Sequence, residues 1–209
     1  MHTVRLEPLR QKIIFAHRSH LRSLLRHPSD EPIRPDVTAG GTGRSTNSKT
    51  DSRRRFPMQP RMTNPAMVAP DAMKAMGAFH EAAKKGNIPE GFLELMCLRA
   101  SQINGCSVCI DGHWRLAKKA GETDDRLFAV AAWRDTPYFE PAERAALAMT
   151  EALTRISDRA DPVPDEIWDE LIRHYNETDI ASVVLTIAAI NVWNRLNIAT
   201  KQQAGFWRP

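Results

Sequence analysis

The chain has 209 residues, of which 42% are hydrophobic and 26% are charged, a composition that suits one or two globular domains and excludes a chain disordered throughout. Three cysteines are too few for a secreted fold held together by disulfides. The longest uncharged apolar run, residues 180–190, is about half as long as a membrane span. We therefore expect a soluble, cytoplasmic protein with working thiols and no membrane partner.

The net charge of +4 is unevenly distributed. Residues 1–57 contain 12 basic and 5 acidic residues, a balance of +7, which leaves 17 basic and 20 acidic residues, a balance of −3, in residues 58–209. No basic face for nucleic acid is expected in the second segment. The first segment lacks a sustained hydrophobic period and is rich in Pro, Gly, Ser and Thr, which predicts a disordered basic extension. Met58 and Met62 would be natural starts for the domain, so a mis-assigned start codon also fits.

From residue 58 onward the chain is predicted to be all-α, a compact domain of about six to seven helices. Proline, aspartate, threonine and glycine signals place helices in chain order over residues 70–86, 89–104, 106–121, 123–131, 140–156, 164–172 and 178–199. A buried strand around residues 181–190 is the alternative for the last element. The absence of a turn signal as far as Asn194 and of any partner strand favours a helix. Because that helix is apolar on nearly all sides, we expect it at the centre of the domain or at a subunit interface.

Reactive side chains concentrate between residues 94 and 113. Cys106 and Cys109 are three residues apart at the start of a predicted helix, where unpaired N–H groups and the helix dipole stabilise a thiolate. His113 lies four residues after Cys109 and so shares its helix face. Glu94 lies among apolar residues, and we expect desolvation to raise its pKa toward the range useful for proton transfer. The alternative is an exposed glutamate on a polar stripe.

A structural zinc site is the competing interpretation of the cysteines. Cys97, Cys106, Cys109 and His113 could supply three sulfur ligands and one nitrogen ligand in a zinc-stabilised, non-enzymatic helical interaction protein. Against this, Cys97 lies inside a predicted helix and no second short pair of ligands exists. Cys97 is better interpreted as a small buried hydrophobic residue.

Other chemistries are disfavoured by the context of the cysteine pair. Haem attachment needs a histidine directly after the second cysteine, where this chain has Ile110, and a thioredoxin-type motif needs a βαβ setting. His80 and His174 lie near predicted helix ends and are expected to be surface or capping residues.

The spacing Glu94-x11-Cys106-x2-Cys109-x3-His113 resembles the signature of the AhpD-like alkylhydroperoxidases of the carboxymuconolactone decarboxylase-like superfamily. The resemblance covers roughly residues 58–200. It extends to the sequence on either side of the motif residues, including the segment Leu98-Arg-Ala-Ser-Gln-Ile-Asn-Gly-Cys106. It implies an all-helical subunit that assembles into trimers or hexamers and acts as a thiol-dependent peroxidase or disulfide reductase. The decarboxylases of the superfamily lack the cysteine pair.

The resemblance also implies a role for each site residue. Cys109 would attack a hydroperoxide and become a sulfenic acid, which Cys106, also a proton donor, would resolve to a disulfide. Glu94 and His113 would form a proton relay through water. Better-known members have a histidine where this chain has Val108, which removes one arm of the relay. We expect no metal, flavin or nicotinamide cofactor, so the electrons would come from an external dithiol donor. The resemblance implies that this donor is either a lipoyl group or a peroxiredoxin-type partner.

Overall fold

The computed structural model describes residues 58–207 and residue 209, and this part of the chain is all-α, without strands. Its helices are α1 (Pro65–Val68), α2 (Pro70–Ala83), α3 (Glu90–Asn104), α4 (Ser107–Lys119), α5 (Asp124–Ala129), α6 (Pro141–Thr154), α7 (Asp165–His174) and α8 (Glu177–Ala199). Two short 3-10 segments, Val130–Asp135 and Ile156–Asp158, follow α5 and α6. The predicted fold class is confirmed. The prediction of a disordered extension concerns residues 1–57, which lie outside the described residues.

Side-chain capping marks the starts of four of the eight helices in the described part of the chain, α1, α5, α6 and α8. The Thr123 side chain accepts a hydrogen bond from the backbone N–H of Arg126, and Glu140 forms a capping box with Glu143 at the start of α6. The sequence predicts that Thr178 and Asp179 cap α8, which places the cap at least two residues too late. Asn176 is the cap there, because its side chain accepts from the N–H of residue 179 and fixes the first turn.

Helix α3 is the centre of the domain. Every side chain from Phe92 to Leu98 is buried, and the helix packs against α4, α6 and α8. Each large apolar side chain buried here stabilises the fold by about 1.5–3 kcal/mol. The same burial surrounds Glu94, the charged residue in the middle of this run, and it requires that carboxylate to have partners inside the protein.

A tight turn joins α3 to α4 and sets the register of the two helices. Gly105 ends α3 with a φ of 73°, a left-handed conformation that glycine adopts without a steric penalty. The N–H of Cys106 then bonds to the carbonyl of Ser101, and α4 starts at the next residue. Because α4 packs along α3, this turn brings the cysteine pair and His113 alongside the middle of α3.

Helix α8 is buried along part of its surface in the single chain. Val183, Ile187 and Ile190 are buried, but Val192 and Ile198 are exposed. Among the described residues, α8 is the one helix long and apolar enough to cross a membrane by length and composition, and half of its apolar window is buried inside the protein. That burial is typical of a core helix in a soluble protein, which is consistent with the predicted solubility.

Candidate redox site

Cys106 and Cys109 are joined by a disulfide at the start of α4. Their Cα atoms are 5.4 Å apart, within the range that a disulfide spans. Cys106 is the N-cap of α4 and Cys109 lies in its first turn, where the backbone N–H groups have no acceptor within the helix. Both residues are only 2% exposed. This is the pair that the sequence analysis identified, held here in the oxidised form.

Glu94 and His113 form a buried hydrogen bond beside the disulfide. Nδ1 of His113 is 2.6 Å from Oε2 of Glu94, and the two residues are 5% and 1% exposed. An ionised carboxylate can only accept hydrogen bonds, so Nδ1 carries the hydrogen and donates it. In this tautomer the second ring nitrogen, Nε2, carries no hydrogen and is a hydrogen-bond acceptor. The alternative of an exposed Glu94 is excluded by this burial.

The expected direction of the Glu94 pKa shift is wrong. Burial by itself raises the pKa of this carboxyl, but the hydrogen bond from His113 and the positive charge of Lys84, whose Nζ is 3.7 Å from Oε1, outweigh it and lower the pKa. Glu94 is therefore an anion at neutral pH. As an anion it accepts the hydrogen bond from Nδ1 of His113.

An amide from α8 contacts the second cysteine. Nδ2 of Asn197 donates to the Sγ of Cys109 at 3.3 Å. The carbonyl oxygen of Asn197 in turn accepts a 2.7 Å hydrogen bond from Nδ2 of Asn64, which fixes the orientation of the amide. An oriented amide donor from α8 therefore lies against the sulfur of Cys109.

A mainly apolar cavity of about 520 Å³ opens onto this site. Cys109, His113 and Val108 line it, whereas Cys106 does not. The rest of its wall comes from α1, α2, α4, α8 and the C-terminal segment and consists of Asn64, Met67, Met73, Gly77, His80, Glu81, Lys84, Leu116, Ile190, Trp193, Asn197, Gln202, Phe206 and Trp207. The cavity thus gives a ligand access to one sulfur of the pair.

The C-terminal segment covers part of the site. The ring of Trp207 meets the ring of His113 edge to face, with 5.5 Å between their centroids. Gly112 allows this approach, because a Cβ built there would lie 2.0 Å from two carbons of the Trp207 ring. The backbone N–H of Gly205 bonds to Oδ2 of Asp111 at 3.0 Å and fixes the segment against α4.

Several residues of the site are not predicted from the sequence. His80 was expected to be a surface or capping residue, but it lines the cavity, and its Nδ1 is buried. The spacing of three and four residues between Gly77, His80 and Lys84 is typical of one helix face. This signal could have placed the three residues on the same side of α2 and its C-cap. No comparable signal marks Asn197, which is 88 residues from Cys109 in sequence.

The arrangement required by the zinc interpretation is not present. No three histidine, cysteine, aspartate or glutamate side chains within residues 58–207 are placed to hold a metal ion. Cys97 is a free thiol, 1% exposed, and burial raises its pKa well above the ordinary value. It is the buried small residue that the sequence predicts. The sulfurs of Cys106 and Cys109 are already used in the disulfide.

The fold and the site together define a helical protein with a Cys-x-x-Cys pair at the start of α4, one turn before the histidine of a buried Glu–His pair. The profile of the carboxymuconolactone decarboxylase family matches residues 70–152. The chain is 39% identical over 137 residues to the uncharacterised protein YdfG of Bacillus subtilis, covering 66% of this chain and 92% of YdfG. The chain belongs to the AhpD-like branch of the carboxymuconolactone decarboxylase superfamily.

Two further relatives carry the AhpD name. The chain is similar to a solved structure of ATU0492 from Agrobacterium tumefaciens, a protein of unknown function that is proposed to be an antioxidant defence protein, AhpD. The match has 30% identity and a TM-score of 0.65 over 71% of this chain and 100% of the other. It is also 38% identical over 58 residues to the alkyl hydroperoxide reductase AhpD of Solibacter usitatus, covering 28% of this chain and 32% of that protein. These relatives support an antioxidant or peroxidase-related role.

Proposed function

We propose that the protein is a thiol-dependent peroxidase that reduces organic hydroperoxides through Cys109 and Cys106. The observation that carries the proposal is that Cys109, the sulfur that lines the cavity, shares the cavity wall with His113, whose ring is hydrogen-bonded to the buried Glu94. A hydroperoxide entering the cavity meets a thiol, a base and an amide donor together. These are the groups that reduction of an O–O bond by sulfur requires.

The first step oxidises Cys109. Nε2 of His113 takes the thiol proton, and Glu94 and the amide of Asn197 stabilise the resulting imidazolium and thiolate. The thiolate attacks the terminal oxygen of the hydroperoxide, forming an S–O bond while the O–O bond breaks. The alkoxide leaves as an alcohol after taking the proton from His113. Sulfur loses two electrons and the peroxide gains them.

The second step closes the disulfide. The thiol of Cys106 attacks the sulfenic acid of Cys109, the S–S bond forms and water leaves. An external dithiol then reduces the disulfide and leaves as its own disulfide, so the cycle balances. Since Cys109 lines the cavity and Cys106 does not, the donor attacks the Cys109 sulfur and releases Cys106 as a thiolate.

The burial of the disulfide indicates the kind of donor. With both cysteines 2% exposed, a thiol on a flat protein surface cannot reach Cys109, whereas a slender arm such as a lipoyl group can enter the cavity. We therefore propose a lipoyl-type donor in preference to a peroxiredoxin-type partner. Comparing the reduction rate by dihydrolipoamide with that by a reduced peroxiredoxin tests the choice, and a faster reaction with the protein donor would reject it.

Single cysteine substitutions test the proposed reaction. We expect Cys109→Ser to abolish hydroperoxide consumption with dihydrolipoamide, and Cys97→Ala, the matched control, to retain it because Cys97 is buried outside the cavity. Cys106→Ser should leave a sulfenic acid on Cys109 after one equivalent of peroxide, detectable by mass spectrometry after dimedone labelling. Turnover that survives in Cys109→Ser would refute the assignment. Stoichiometric zinc in the purified protein, lost in Cys97→Ala, would favour the zinc-stabilised alternative.

Two further features are proposed for the protein as it works in the cell. A dithiol that must be re-reduced suits the cytoplasm, where thiols are kept reduced.

The exposed Val192 and Ile198 on α8 suit a homo-oligomer, a trimer or hexamer, in which a neighbouring subunit covers them. Light scattering coupled to size exclusion tests the assembly, and a monomeric mass at all concentrations would contradict it.

A further inference from the structure

His80 has a buried nitrogen without a partner beside the proposed reaction site. Its Nδ1 is inaccessible to solvent and makes no hydrogen bond to any group in the described part of the chain. A buried polar atom of this kind loses its bonds to water without compensation, which destabilises the fold. Such atoms are rare in native proteins, and a bound ligand is one explanation.

The position of His80 connects this nitrogen to the cavity. His80 lies on the last turn of α2, and its side chain lines the same cavity as Cys109 and His113. Lys84, one turn further on, is already engaged by Glu90 at 3.1 Å and Glu94 at 3.7 Å. The neighbouring cation therefore has its own partners, and the imidazole is left for a ligand.

The electrostatic surroundings keep His80 neutral. Burial lowers its pKa, and the positive charge of Lys84 lowers it further, against a smaller opposing effect of Glu94. A neutral imidazole offers one donor and one acceptor nitrogen. Since no protein group fixes the tautomer through Nδ1, that nitrogen can either donate to a ligand oxygen or accept from a ligand hydroxyl.

We propose that Nδ1 of His80 binds the oxygen end of the substrate, an organic hydroperoxide whose apolar body fills the cavity. This inference rests on the proposed function and adds a substrate-binding residue to it. The cavity is mainly apolar, so few polar groups are available to orient a ligand, and in such sites those few set the binding geometry. The product alcohol keeps a hydroxyl at the same end and should use the same contact.

Two substitutions of similar shape isolate the hydrogen bond. In His80→Asn, a polar side-chain atom lies at the same number of bonds from the backbone as Nδ1, whereas His80→Leu places a methyl group there. His174, which bonds to Glu170 on α7, lies outside the cavity, so His174→Leu is the control for loss of a histidine. Because His80→Leu removes an unsatisfied polar atom, we expect its urea midpoint to equal or exceed that of the wild type.

The binding experiment uses the oxidised protein and the alcohol 2-phenyl-2-propanol, followed by the fluorescence of the tryptophans in the cavity wall. We expect His80→Leu to weaken binding by at least about tenfold, which corresponds to about 1.4 kcal/mol. His80→Asn and His174→Leu should stay close to the wild-type affinity. Equal affinity in the leucine variant and the wild type would overturn the inference, as would equal losses in the leucine and asparagine variants.

A kinetic experiment then separates substrate binding from thiol chemistry. With cumene hydroperoxide, His80→Leu should lower kcat/KM by about the same factor as it lowers alcohol affinity. The rate at which iodoacetamide alkylates reduced Cys109 should not change, because His80 contacts the substrate and not the sulfur. A matching fall in the alkylation rate would assign His80 to thiol activation and overturn the inference. A wild type that binds the alcohol but consumes no hydroperoxide would instead refute the proposed function alone.

Discussion

Replacing Gly112 by alanine tests whether the C-terminal segment covers the redox site. The new Cβ would lie 2.0 Å from two ring carbons of Trp207, whereas ordinary contact begins at 3.4 Å, so the ring must withdraw by about 1.4 Å. Since the same ring meets His113 edge to face, this withdrawal separates Trp207 from the histidine and widens the entrance to Cys109.

The energetic consequence follows from two opposing effects. Alanine in the middle of a helix is more stable than glycine by about 0.5–1 kcal/mol, because glycine loses more conformational freedom on folding. Loss of the Trp207–His113 contact costs about as much, roughly 0.5–1.5 kcal/mol. We therefore expect little net change in the free energy of unfolding of Gly112→Ala, together with faster alkylation of Cys109 by iodoacetamide after reduction.

Gly77→Ala is the matched control. Gly77 also lies inside a helix, but a Cβ there meets nothing within 4 Å, so the helix effect should appear undiminished as a gain of about 0.5–1 kcal/mol in urea unfolding. Adding Trp207→Ala to Gly112→Ala removes the clash and should make the two substitutions non-additive. Equal stabilisation by both alanines, with no change in the alkylation rate of Cys109, would refute the placement of Trp207 against Gly112.

Three further predictions concern other groups of the fold and the site. Cys109 lines the cavity, whereas Cys97 does not and burial raises the pKa of its thiol. We therefore expect Cys109 of the reduced native protein to react with a thiol reagent and Cys97 to react only after denaturation. A Cys97 that reacts as fast as Cys109 in the native protein would contradict this. The folded-state pKa of Glu94 lies below its ordinary value of 4.5, so its ionised form stabilises the fold fully above that pH, and this contribution is lost as the pH falls through the folded-state value. The difference in free energy of unfolding between the wild type and Glu94→Gln should thus shrink on acidification, and a pH-independent difference would show that the carboxylate charge is not involved. Glu151 is buried and accepts hydrogen bonds from Arg99 and Trp133, so Glu151→Ala should cost about 3 kcal/mol in urea unfolding, with a loss under 1 kcal/mol contradicting the buried pair.

The sequence was sufficient for features that depend on near neighbours in the chain. Helix ends are set by capping and turn residues a few positions away. The sequence alone therefore predicts correctly that Thr123 starts α5 and that Gly105 ends α3. The same holds for the placement of Cys106 and Cys109 at a helix start and of His113 one turn after Cys109. All of these follow from the repeat of one helix.

Features that depend on contacts between helices were decided by the tertiary structure. The sequence suggests that Glu94 is a reactive residue, but it does not give the direction of its pKa shift. That direction depends on His113, 19 residues away, and on Lys84. Both side chains reach Glu94 only in the folded chain. His80 and Asn197 belong to the site for the same reason. Helical spacing shows which residues share a face, and only packing shows which faces meet. That is why the sequence predicts the cysteine pair but not the cavity that Cys109 lines.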